Sequence, residues 1–85
     1  MGKVEVISIN GVDLVFFSND HNPPHFHAKK AGEWEYRVYF MRSENMLEAK
    51  WEEQRMTGKL RRELIELVVA NRLALLTEWE AKVNP

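Results

Sequence analysis

His25-Phe26-His27-Ala28-Lys29-Lys30-Ala31-Gly32-Glu33-Trp34-Glu35-Tyr36-Arg37-Val38-Tyr39-Phe40 is the stretch that decides the fold. Polar and apolar residues alternate on both sides of Gly32, the period of a strand, with a glycine where the chain must turn back. A two-residue I′ turn would need positive φ at Ala31, which a residue with a Cβ resists. A three-residue loop, Lys30-Ala31-Gly32, with Gly32 in the left-handed bulge position, fits better. It pairs Lys29 with Glu33, His27 with Glu35 and His25 with Arg37. His25, His27, Glu35 and Arg37 then share one face, and Phe26, Ala28, Trp34, Tyr36, Val38 and Phe40 the other. The rival register would bury both imidazoles among aromatics, at about 1–3 kcal/mol for each left without a partner.

Upstream, Val4 to Ile9 is rich in β-branched residues and Asn10-Gly11 follows, a strong hairpin signal before the strand Val12 to Phe17. A two-residue turn pairs Ile9 with Val12, Ile7 with Leu14 and Glu5 with Phe16. Val4, Val6, Val15 and Phe17 then line the opposite face, which one helix cannot cover together with the first. That predicts an interface with a second copy or another protein. Downstream, Leu47, Ala49 and Trp51 alternate with Glu48, Lys50 and Glu52, a short fifth strand. From Lys59 to Glu80 there is neither Gly nor Pro, and Leu60, Leu64, Leu67, Val68, Asn71 and Leu75 follow helical spacing. Ile65, Val69, Leu73, Leu76 and Trp79 widen that stripe until the middle of the helix is buried over most of its circumference. Thr57 is the expected N-cap, and Asn71 the place where the helix would kink into two. The fold class is α+β: an antiparallel sheet of two to three hairpins packed on a long C-terminal helix.

Composition sets the bounds. With 85 residues, 45% of them hydrophobic, the chain supports one thin core and reads as a single domain over residues 1–85. Twelve Lys/Arg against thirteen Asp/Glu give a net charge of −1, so global charge argues for neither nucleic acid nor membrane. The absence of cysteine excludes disulfides, thiolate zinc sites and Cys nucleophiles. No apolar run has the length of a membrane span or a signal-peptide core, and the expected location is the cytoplasm.

Asp20-His21-Asn22-Pro23-Pro24-His25-Phe26-His27 holds all three histidines. This segment resembles the signature of a small prokaryotic family, domain of unknown function 4160, which reads Asp-His-x-Pro-Pro-His-Phe-His, and it agrees at each of those positions. The flanks are similar too: an apolar strand ending in aromatics before it, a hairpin with an acidic return strand after it, and a C-terminal helix ending near Glu78-Trp79. Residues 43–58 depart from the family pattern, being longer and lacking a proline before the helix. The resemblance implies a bacterial α+β unit of no established activity, encoded beside another small protein in a toxin–antitoxin-like arrangement.

Several chemistries fit the segment. Two imidazoles at i and i+2 on a strand lie about 6.5–7 Å apart at the backbone, near enough to share an ion. Asp20, His21 or Glu35 would complete the ligand set around His25 and His27, for a divalent metal such as Zn. The same side chains also serve to hydrogen-bond backbone groups of a loop stiffened by two prolines, with Asn22-Pro23 or Pro23-Pro24 as candidates for a cis bond. A third option is metal-free acid–base catalysis by His25 or His27, with Arg37 or Lys29 holding the phosphate of an RNA. The run Arg55, Lys59, Arg61, Arg62 reads as a solvated helix start with local ion pairs, and Trp34, Tyr36, Trp51 and Trp79 as core. Taken together, the sequence favours a protein-interaction component of a toxin–antitoxin-like operon over a small histidine- or metal-dependent hydrolase or ribonuclease.

Overall fold

The computed structural model describes residues 2–19 and 21–83. Five strands, β1 (Gly2–Lys3), β2 (Asp13–Phe16), β3 (Phe26–Lys30), β4 (Trp34–Val38) and β5 (Leu47–Glu52), run as an antiparallel meander in the order β1-β2-β3-β4-β5. Two helices follow, α1 (Gly58–Ala70) and α2 (Arg72–Lys82). Leu64, Val68, Leu75 and Trp79 of the helices join Leu14, Phe16, Phe26, Ala28, Trp34, Tyr36 and Val38 of the sheet in one buried cluster. Both helices therefore lie on the same side of the sheet. This is α+β with an antiparallel sheet, as the alternation predicts, with two separate helices in place of one long one.

Thr57 caps α1 as expected, its Oγ1 accepting the Leu60 amide at 3.2 Å. The break falls at Asn71, whose Nδ2 donates to the Leu67 carbonyl at 2.8 Å while its own amide goes to Val68 at 3.1 Å. The side chain has taken the acceptor that an α-helix reserves for the backbone of the same residue. Only one stripe of each helix is covered. Val69 and Leu73 remain 52% and 74% exposed, which corrects the expectation of nearly all-round burial.

The first hairpin turns where expected and then departs from its predicted register. Ile9 bridges Val12, but the ladder stops there, and β1 pairs with β2 as Gly2 with Phe16 and Lys3 with Val15. Val4, not Ile7, donates to the Leu14 carbonyl, at 2.9 Å. Gly11 has φ +79° and Asn10 is not in the left-handed region, so the turn is not of type I′ and does not match the twist that would carry the ladder onward. The amides released by this departure go to the last helix: Glu78 Oε2 accepts from Glu5 N at 2.8 Å, and Oε1 from Val6 N at 3.1 Å. An odd register shift also moves Val4 to the helix side, where it is buried. The apolar face predicted from Val4, Val6, Val15 and Phe17 therefore does not form.

The second hairpin keeps its predicted faces with partners two residues away from those expected. His27 lies opposite Arg37, Lys29 opposite Glu35 and Lys30 opposite Trp34. Gly32 occupies the third position of the turn Lys30–Glu33, with φ +77° and the Glu33 amide on the Lys30 carbonyl at 3.0 Å. Only that position is left-handed, the pattern of a type II turn. Glu33 drops out of the ladder because its carbonyl accepts from Glu53 N at 2.7 Å and Gln54 N at 3.1 Å as the chain leaves β5.

Glu78 is half-buried and joined to Lys82 Nζ at 2.6 Å. Burial opposes its charge, but Lys82 and the two backbone amides outweigh it and hold the carboxyl below its ordinary range. A depressed folded-state pKa stabilises above the unfolded value and is lost as pH falls through the folded one. Glu78→Gln should therefore lower stability by about 1–2 kcal/mol at neutral pH and flatten the loss of stability below the ordinary glutamate pKa. Thermal melts of both proteins from neutral to acid pH check this.

Candidate functional site

The candidate site lies on the sheet face away from both helices. Val15, His27, Arg37 and Glu48 form one row across β2 to β5, and Asp13, Lys29, Glu35 and Trp51 the next. The four residues predicted to share a face, His25, His27, Glu35 and Arg37, do so. Phe17 and Tyr39 join them: the Phe17 and His27 rings meet edge-on at 4.5 Å, His25 and His27 at 5.2 Å, and His25 and Tyr39 at 5.1 Å.

The histidines are not a solvated polar surface. His25 is 7% exposed, His27 4% and Glu35 8%. Burial at this level requires internal partners, and the hydrogen bonds supply them. His27 Nδ1 donates to Glu35 Oε2 at 3.2 Å, and His25 Nδ1 to the Pro23 carbonyl at 2.9 Å, following the cis Asn22–Pro23 bond. Since a carbonyl or a carboxylate only accepts, both rings carry a proton on Nδ1, and in the neutral form Nε2 is the basic nitrogen of each. The Glu35–His27 contact is diagonal, because the pairing lies two residues from the direct one predicted.

Glu35 is also 3.5 Å from Lys50 Nζ, a contact made by a β-bulge. Strand β5 pairs Tyr36 with Ala49 but Glu35 with Trp51, leaving Lys50 as the extra residue. The bulge reverses the predicted alternation beyond Ala49, so Trp51 emerges on the histidine face, 40% exposed, and Glu52 on the helix face. Trp51 is thus surface and not core, while Trp34, Tyr36 and Trp79 are buried as expected. Cations sit over the two flanking aromatics, Lys29 Nζ 5.2 Å from the Phe17 ring and Arg42 Cζ 3.9 Å from the Tyr39 ring. Arg37 Nη1 is 3.6 Å from Glu48 Oε1.

Of the predicted ligand set, His25, His27 and Glu35 come together, His21 is exposed in the preceding loop, and Asp20 lies outside the described residues. Among the described residues no three His, Asp or Glu side chains are grouped so as to hold a metal ion. Phe17, Tyr39, Arg42 and Lys50 are neighbours of the site that the sequence reading did not select. Strand parity would have placed Phe17, but Lys50 arrives only through the bulge and has no local signal.

An antiparallel sheet covered by helices on one side, with a buried histidine pair on the other, is the class of protein this geometry defines. The chain belongs to the family described as Domain of unknown function (DUF4160), whose model matches residues 11–80 and so takes in the whole histidine segment. No curated protein and no solved structure matches it. No helix among the described residues is long and apolar enough to cross a membrane.

Because Glu35 is the internal partner of His27, Glu35→Ala should cost about 2 kcal/mol, the penalty for a buried donor left unmade. Glu35→Gln, which keeps an accepting oxygen, should recover most of that loss. Urea unfolding of the two variants separates the outcomes.

Proposed function

We propose that this chain is a protein-binding component of a small operon of toxin–antitoxin type and that it engages its partner with the helix-free face of the sheet. The observation that carries the reading is the contrast within that face. The three most buried polar side chains, His25, His27 and Glu35, are bonded internally, while Val15, Phe17, Lys29, Arg37 and Tyr39 around them are half-exposed and Trp51 is exposed. Such a surface suits docking better than turnover, which needs the reacting groups within reach of a substrate.

The charge balance suggests the partner's character. Glu35 faces His27 and Lys50, and Glu48 faces Arg37, which leaves Lys3, Lys29 and Arg42 against Asp13 on or beside this face. An acidic protein surface complements that excess. A nucleic acid is less well matched, because Lys29 and Arg42 already cover the rings of Phe17 and Tyr39 on which bases would stack.

Capture of the protein encoded beside this one, after co-expression, is the expected result. Lys29→Glu with Arg37→Glu should abolish that capture, and Lys59→Glu on α1 should leave it intact. A clean monomer in sedimentation at high concentration, with no complex formed by the wild type, would overturn the proposal.

The His27–Glu35 hydrogen bond favours a second reading, histidine-dependent cleavage of RNA or another phosphate ester. A carboxylate on Nδ1 orients the ring and fixes its tautomer, and Arg37 lies directly opposite in the ladder. RNA cleavage by the wild type that is lost in His27→Ala, with the melting temperature of that same variant unchanged, would support it. Elemental analysis reads directly whether a divalent metal such as Zn accompanies that activity.

A further inference from the structure

On the opposite side of the sheet, where β5 meets the chain that leads into α1, there is a cavity of about 480 Å³ lined by Tyr36, Leu47, Ala49, Glu52, Arg55, Met56 and Arg61. Its size lies within the range of small-molecule sites. The bulge at Lys50 creates its polar wall by turning Glu52 to this side, where the Tyr36 hydroxyl donates to Glu52 Oε2. Leu47, Ala49 and Met56 supply an apolar lining. Arg55 and Arg61 belong to the basic run that the sequence reads as pairing locally with acids. Neither makes a side-chain ion pair or hydrogen bond among the described residues, in contrast to Arg37 and Arg72.

Two guanidinium groups in a partly apolar concavity have the donor geometry for a carboxylate, which a forked Arg contact matches better than a point charge does. The charges of Arg55 and Arg61 against that of Glu52 leave the cavity with one net positive charge, in a chain whose net charge is −1. A monoanion balances that excess; a doubly charged phosphate would over-neutralise it beside a carboxylate. Tyr36 does not add a second negative charge, because burial and its bond to Glu52 push the phenol up and keep it protonated.

We propose that this cavity binds a small organic monoanion with an apolar body, a short aliphatic or aromatic carboxylate, whose carboxylate is held by Arg55 and Arg61 above Leu47, Ala49 and Met56. The site is separate from the histidine face and does not depend on the function assigned to it.

The test is a titration of isotopically labelled protein with hexanoate at constant ionic strength, followed by NMR. Saturable shifts are expected at the methyl groups of Leu47, Ala49 and Met56. Arg55→Ala and Arg61→Ala should each weaken binding about tenfold, as loss of a charge-assisted contact does. Glu52→Gln should tighten it, since the amide keeps an oxygen for the Tyr36 hydroxyl and loses the opposing charge. Both arginines are exposed, so unchanged melting of their variants is the check that the fold is intact. Absence of saturable shifts with hexanoate and benzoate would overturn the proposal. So would equal affinity in the arginine variants, or inorganic phosphate binding as tightly as hexanoate.

Discussion

Burial of one side of β3 and β4 governs everything else in this molecule. Phe26, Ala28, Trp34, Tyr36 and Val38 are drawn against Leu64, Val68, Leu75 and Trp79, and a strand cannot turn one residue inward without turning its neighbours outward. His25, His27, Glu35 and Arg37 are therefore directed to the far side by the packing of other residues. The hydrophobic term is large there: each of those core side chains contributes on the order of 1.5–3 kcal/mol when removed from water, Ala28 less. A register slip by one residue would exchange the two sets, and the apolar side would bear the cost.

The far side then faces a problem that the helix side does not. It has no helix among the described residues to cover it, and its central groups are nonetheless withdrawn from water. It solves this with its own side chains. Phe17 and Tyr39 flank the imidazoles, Lys29 and Arg42 lie over those two rings, and Lys50 reaches Glu35 from the neighbouring strand. Histidine suits such a place because each ring can donate from Nδ1 to a fixed oxygen while presenting an apolar edge to an aromatic neighbour.

The histidine segment and the faces of the second hairpin were legible in the sequence because parity survives an even error in register. Reading the loop one residue early moved each partner by two positions, which changed His27's opposite number from Glu35 to Arg37 but left both on one side. The first hairpin shows the reverse case. There the departure was odd, so Val4 changed sides, and the amides it released are taken up by Glu78, more than seventy residues away in sequence. No local pattern announces that a helix carboxylate will claim the two amides of Glu5 and Val6. The kink at Asn71 was readable from one polar residue within an apolar stripe. The bulge at Lys50 was not, since Leu47 to Glu52 alternates without interruption. The family match over residues 11–80 includes the histidine segment and begins after β1.

The same bulge bears on how the molecule behaves among its own copies. Strand β5 ends the sheet and offers an open row of backbone donors and acceptors, the kind of edge on which another chain can build. An extra residue in the middle interrupts the spacing of that row and increases the local twist. Glu48, Lys50 and Glu52 place charges along it, all of them exposed. A passing strand thus finds no continuous flat template on the free edge of this half-covered sheet, the arrangement that disfavours edge-to-edge pairing.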